Sequence, residues 1–256
     1  MSRHFENDRA LVLISDGYTE GLENYNSRSQ FLNKFPIDVD CQSSQFEIAL
    51  TKIKFSNSIY NLPKGEVHNI GIFSEEHDAE LNIQLNPGYY SISDILACIN
   101  QKIEDISFEL DLTSKKVVAK SERAGASKIQ FSRTLSVLLG FERYSEFEIG
   151  AGAKIIAPAV YNDNPNDQIY IYCSMVCAEH IVGGTLTNLL SSCPINSKTF
   201  NECVVYEPRH LIYLPVKRQH FLYSTIYITN HLGQQVLFER GSVEIHVKLR
   251  RVSPFL

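Results

Sequence analysis

Near the end of the chain Val243, Ile245, Val247 and Leu249 alternate with Glu244, His246, Lys248 and Arg250. A period of two is what a half-buried strand requires. Just upstream, "FLYSTIYIT" and "QVLFE" flank "NHLGQ", which predicts a hairpin with Gly233 in its turn. "LNIQLNPG" places Leu81, Ile83 and Leu85 on one face and ends in a Pro-Gly turn. In "QFEIALTKIKF" the apolar phase runs through Phe46, Ile48 and Leu50, then switches to Ile53 and Phe55. Such a switch predicts a β-bulge, or a strand whose halves are covered on opposite faces. "QIYIYCSMV" (168–176) is apolar in both phases, the expectation for a strand buried on both sides. Further candidates are "ALVLIS", "HNIGIF", "SFELD", "KKVVAK", "SKIQF", "CVVYEP" and "HLIYLPV". Short strands with frequent turn signals, without strand–helix alternation, predict a sandwich or jelly roll rather than an α/β fold.

The period changes to 3.6 in "NPGYYSISDILACINQKI". Ile92, Ile95, Leu96, Ile99 and Ile103 fall within an arc of roughly 100°, while Asp94 and Gln101 point away. Ser91 and Asp94 have the spacing of a capping box. Ordering a dozen residues costs about 1–2 kcal/mol each, so this helix must dock by its apolar stripe. A second short helix is expected at "RTLSVLLGF", with Gly140 as the left-handed residue that ends it and Phe141 folding back onto Leu135. The two helices bracket "SFELDLTSKKVVAK" and "SKIQF", which predicts one excursion, about 88–141, inserted into a single β domain spanning 1–256.

Composition adds limits. Of 256 residues, 44% are apolar, enough for a core, and the aromatics are Tyr and Phe without Trp. No apolar run is long enough for a membrane span. "MSRHFENDRA" lacks the apolar core of a signal peptide, and no N-x-[ST] acceptor occurs, so a non-secreted protein is expected. The six cysteines, Cys41, Cys98, Cys173, Cys177, Cys193 and Cys203, are too sparse for a disulfide framework and are expected to be buried free thiols. Cys173 and Cys177 lack further ligands at zinc spacing. The net charge of −5 divides into +5 over residues 209–251 and −10 elsewhere. That balance argues against a general nucleic-acid binder and suits packing against copies of the chain or other proteins.

Motifs that carry chemistry are scarce in the chain. "GAGAKI" lacks the third glycine of a dinucleotide fingerprint, and neither G-x-S-x-G nor H-E-x-x-H is present. His220 and His246 belong to predicted C-terminal strands as outward-facing residues. Glu75–Glu76 and Asp163/Asp167 sit in polar loop sequence, and "NDNPNDQ" reads as turn chemistry rather than a calcium loop. No catalytic residues, cofactor or metal ligands are expected.

The order of several stretches resembles the penton, or minor capsid, proteins of polintons (Mavericks) and adintoviruses. "FLNKFPIDVDCQSSQFEIALTKIKF" is similar to that family's early strand, and "NPGYYSISDILACINQKI" to its G-Y-Y-S-x-x-x-L-x-x-x-I-N helix. "FELDLTSKKVVAK" and "LSVLLGF" follow in the same order. "QIYIYCSMVCAEHIVGGTLTNLL" is similar to its I-Y-V-Y-x-D-x-V segment, and the closing "FLYSTIYITNHLGQQVLFERGSVEIHVKLRR" to its final hairpin and strand. Phe46 replaces the usual Trp of the early strand, and Val182-Gly183-Gly184 replaces V-G-D. The resemblance covers Phe31 to Arg251.

It implies a non-enzymatic single jelly roll, two antiparallel sheets face to face, that forms homopentamers at the fivefold vertices of an icosahedral capsid. The implied neighbours are trimers of a double jelly-roll major capsid protein, with assembly inside the host cell. A closed ring needs a head-to-tail interface. The basic C-terminal segment suggests Lys217, Arg218, Arg250 and Arg251 for it, against the acidic remainder. The alternative is a β-sandwich attachment module for carbohydrate or a receptor, with exposed loop aromatics and calcium near Asp163–Asp167.

Overall fold

The alternating segments at the two ends of the chain pair with one another. The structure, a computed structural model, describes residues 8–15, 27–42, 44–74, 79–122, 127–141, 146–162, 167–178, 180–182, 184–197 and 199–252. The chain begins with β1 (Arg9–Ile14), β2 (Gln30–Asp40) and β3 (Phe46–Ser56). Next come β4 (His68–Ser74), β5 (Ala79–Leu85), α1 (Ile92–Asn100), β6 (Ile106–Asp111) and β7 (Lys116–Ser121). They are followed by β8 (Ser127–Phe131), α2 (Arg133–Leu138), β9 (Glu146–Ile149) and β10 (Lys154–Ile156). The remainder is β11 (Gln168–Cys173), β12 (His180–Val182), β13 (Thr185–Thr187), β14 (Leu189–Pro194), β15 (Cys203–Tyr206), β16 (Leu214–Pro215), β17 (His220–Thr229) and β18 (Glu244–Arg251). Two compact units result, one from residues 1–59 and 166–256, the other from 60–165.

In the first unit, one antiparallel sheet runs β1-β18-β3, with β15 and β16 in succession along the far side of β3. The second runs β14-β11-β17-β2. Along the chain, every connection among these strands crosses between the sheets except β11 to β14, which the β12–β13 hairpin bridges, and β15 to β16, which stays beside β3. That winding is a jelly roll. Ile48, Ile53, Phe55 and Ile245 of one sheet share a core with Phe31, Ile169, Ile171 and Ile226 of the other.

The phase switch in β3 is a bulge. His246 pairs with Lys52 and Val247 with Leu50, so Thr51 is the extra residue, and its hydroxyl donates to the His246 carbonyl at 3.0 Å. By inserting one residue, the bulge keeps Phe46, Ile48 and Leu50, as well as Ile53 and Phe55, on the core side. β11 departs from expectation. It ends at Cys173, and only Ile169, Ile171 and Cys173 are buried. Tyr170 and Tyr172 are half-buried, and the Tyr172 ring lies 6.4 Å from that of Tyr227. Large rings shield each other on that face, so its residues read as apolar while facing outward.

The second unit has its own core, built from the sheets β10-β7-β6 and β5-β4-β8-β9 with both helices. Ser91 caps α1, accepting from the Asp94 N–H at 3.1 Å while Asp94 accepts from the Ser91 N–H at 3.2 Å. Ile92, Ile95, Leu96, Ile99 and Ile103 all lie in this core. Asn100 then clasps β6: its amide donates to the Phe108 carbonyl and its carbonyl accepts from the Phe108 N–H, both at 2.8 Å. α2 ends in a Schellman motif, with Phe141 N–H donating to the Ser136 carbonyl at 2.7 Å and Gly140 N–H to that of Val137 at 3.3 Å. Gly140 has φ +81°, and a Cβ there would collide with the Ala159 carbonyl. The second unit comprises residues 60–165, and the excursion expected at 88–141 lies within it. β4 pairs with both β5 and β8, so strands that the sequence placed in the framework belong with the helices instead.

Candidate assembly surface

The alternation of β18 places Glu244, His246, Lys248 and Arg250 on the outer face of the first sheet, where adjacent strands supply opposite charges. Lys54 meets Glu244 at 3.2 Å, Lys248 meets Asp8 at 2.9 Å, and Lys52 meets Glu207 at 3.3 Å. Arg250 donates through Nε and a terminal nitrogen to one Glu47 oxygen, at 2.9 and 2.7 Å, and stacks on Tyr213 with its guanidinium carbon 3.4 Å from the ring centre. Hydrogen bonding to Glu47 raises the Arg250 pKa, and the bond to Asp8 does the same for Lys248. The middle of this face is therefore charge-neutralised within the chain.

The four cations expected at an interface come together at one end of the sheet. Arg250 and Arg251 pair with Glu47 and Phe46, Pro215 pairs with Glu47 from the other side, and Val216 N–H donates to the Phe46 carbonyl. They are not equivalent. Arg250 is held by Glu47 and Tyr213, whereas Lys217, Arg218 and Arg251 take part in no ion pair among the described residues. Sequence separates Arg250 from Glu47 by 203 positions, so no local pattern could reveal their pairing.

The margins of this face are different. β1 is apolar in both phases: Leu13 is buried, while Val12 is 50% and Ile14 37% exposed. On the opposite margin, Val205 of β15 is 51% exposed, and Leu211 and Ile212 stand out in the connection to β16. Sequence pattern alone does not mark these positions as site residues. The available signal was the unbroken run "ALVLI", which alternation alone cannot assign to a single core face.

His220 Nδ1 is 3.6 Å from Asp40, and His246 Nε2 is 3.9 Å from Glu244. Cys41, Cys173 and Cys193 are buried, and burial pushes the thiols of Cys41 and Cys193 up to about 12. Cys98 and Cys177 are only half-buried and Cys203 is exposed on the margin strand β15, so the expectation of buried thiols fails for these three. Among the described residues no group of three His, Cys, Asp or Glu converges as for a metal. Glu75, Glu76 and Asp163 lie outside the described residues. No helix among the described residues is long and apolar enough to cross a membrane.

The strand order and crossings define a jelly-roll protein carrying an inserted helix-containing unit. Solved structures of this fold include the mavirus penton protein, with 11% identity, a TM-score of 0.54, and coverage of 96% of this chain and 100% of that one. A chain from the structure of the Sputnik virophage matches at 9% identity and a TM-score of 0.50, over 96% and 98% of the two chains. No protein-family model matches the sequence, and no curated protein does.

Proposed function

We propose that this chain is a structural capsid protein, a penton that forms homopentamers at the fivefold vertices of an icosahedral virion. The observation that carries the reading is the likeness to the mavirus penton protein over essentially the whole of both chains, inserted unit included. The order of sequence stretches shared with polinton and adintovirus pentons supports it independently. The role is assembly rather than catalysis, and the particle is put together inside the host cell. Its partners are further copies of the chain and trimers of a double jelly-roll major capsid protein. Lys217, Arg218 and Arg251 are the cations at the sheet end left for such contacts, with Arg250 holding the scaffold beside them. Purified protein is expected to form particles of five copies, and a stable monomer would speak against the reading.

A further inference from the structure

On the outer face of the first sheet, one row of residues crosses the sheet from β1 to β15. Ile14 pairs with Glu244, Glu244 with Lys54, and Lys54 with Val205. The two inner members form an ion pair, and the two outer members are exposed aliphatics. The next row opens in the same way, with Val12 beside His246 and His246 beside Lys52, and ends on Glu207, which pairs with Lys52. The charges in the middle of this face are matched, and exposed aliphatic side chains gather at both margins.

We infer that the two margins meet: the β1 margin (Val12, Ile14) of one copy packs against the β15 margin (Val205, Leu211, Ile212) of the next. This deepens the reading as a ring-forming capsid protein and rests on it. Three observations favour a second copy as the occupant. First, the margins are unlike patches on opposite sides of one sheet, as a head-to-tail interface requires. Second, Ile14 and Val205 close the same row, so copies joined margin to margin follow one another without a step along the strands. A step at each joint would favour an open helix over a closed ring. Third, β1-β18-β3-β15 are successively antiparallel, so β1 and β15 run in opposite directions and a neighbour in the same orientation continues the alternation. Arg209, exposed near Leu211 and Ile212, would face its own counterpart if two β15 margins met. Like charges oppose that symmetric pairing.

The test uses the full chain with single substitutions Val12→Glu on one margin and Ile212→Glu on the other, and Lys52→Gln in the middle as a control. Ile212 is 70% exposed, so its variant should fold even if the β1 variant does not; circular dichroism and thermal unfolding check both. Wild type and Lys52→Gln should form the same closed particle. Each margin variant alone should sediment as a monomer, and an equimolar mixture should give heterodimers and nothing larger, because only one intact pair of margins remains. Particles of wild-type size from the folded Ile212 variant would overturn the margin assignment while leaving the capsid reading intact. Homodimers of either variant would overturn the head-to-tail arrangement, and a monomeric wild type would overturn both.

Discussion

Individual residues fix the chain where the backbone has one solution. Gly140 is the strictest case, because its left-handed φ and the Ala159 carbonyl both exclude a side chain. Gly140→Ala should lower stability by at least about 1–2 kcal/mol, the cost of a left-handed non-glycine residue alone. Denaturant unfolding checks this, and an unchanged midpoint would contradict the account of the α2 terminus. The thiols give a pH test. Cys41 and Cys193 are pushed from the ordinary 9.0 to about 12 by burial, so the folded state favours their protonated form. The resulting stability is complete below pH 9.0 and is lost as pH rises through the folded value. Unfolding free energy should therefore decline from pH 9 toward pH 12, and replacing both residues with Ala should make that decline shallower, leaving the part due to buried Cys173. At neutral pH a thiol reagent should label exposed Cys203 well before either buried residue.

Elements show how far local pattern carries. The capping box of α1, its buried stripe, the bulge in β3 and the glycine end of α2 were legible because each is written within a few residues. Ile99→Asp places a carboxylate in the second unit's core and should cost on the order of 4 kcal/mol, whereas Ser91→Ala should cost about 1 kcal/mol. Equal thermal stability for Ile99→Asp and wild type would mean the stripe is not docked. Where a pattern has two physical causes, sequence misleads. β11 read as buried on both faces because Tyr170 and Tyr172 are aromatic, yet both are half-exposed. Strands β4 and β5 read as framework because alternation does not name a partner; only their pairing with each other and with β8 assigns them to the second unit.

At the scale of the molecule, the all-β class and the presence of an insertion could be read from turn spacing and the two helical segments. The winding that makes a jelly roll could not, since β1 pairs with β18 and β3 with both β18 and β15 across most of the chain length. The same holds for the assembly surface. The excess of basic residues in the C-terminal segment is visible in sequence, but the pairing of Lys248 with Asp8 and of Arg250 with Glu47 appears only in three dimensions. Among the described residues, the outer face of the first sheet offers a partner exposed aliphatics at its two margins and three cations at one end. The most direct measurement of this account is the mass of the purified full-length protein by sedimentation equilibrium. The account predicts a particle of five 29.1 kDa chains; a stable monomer over the same concentration range would contradict it.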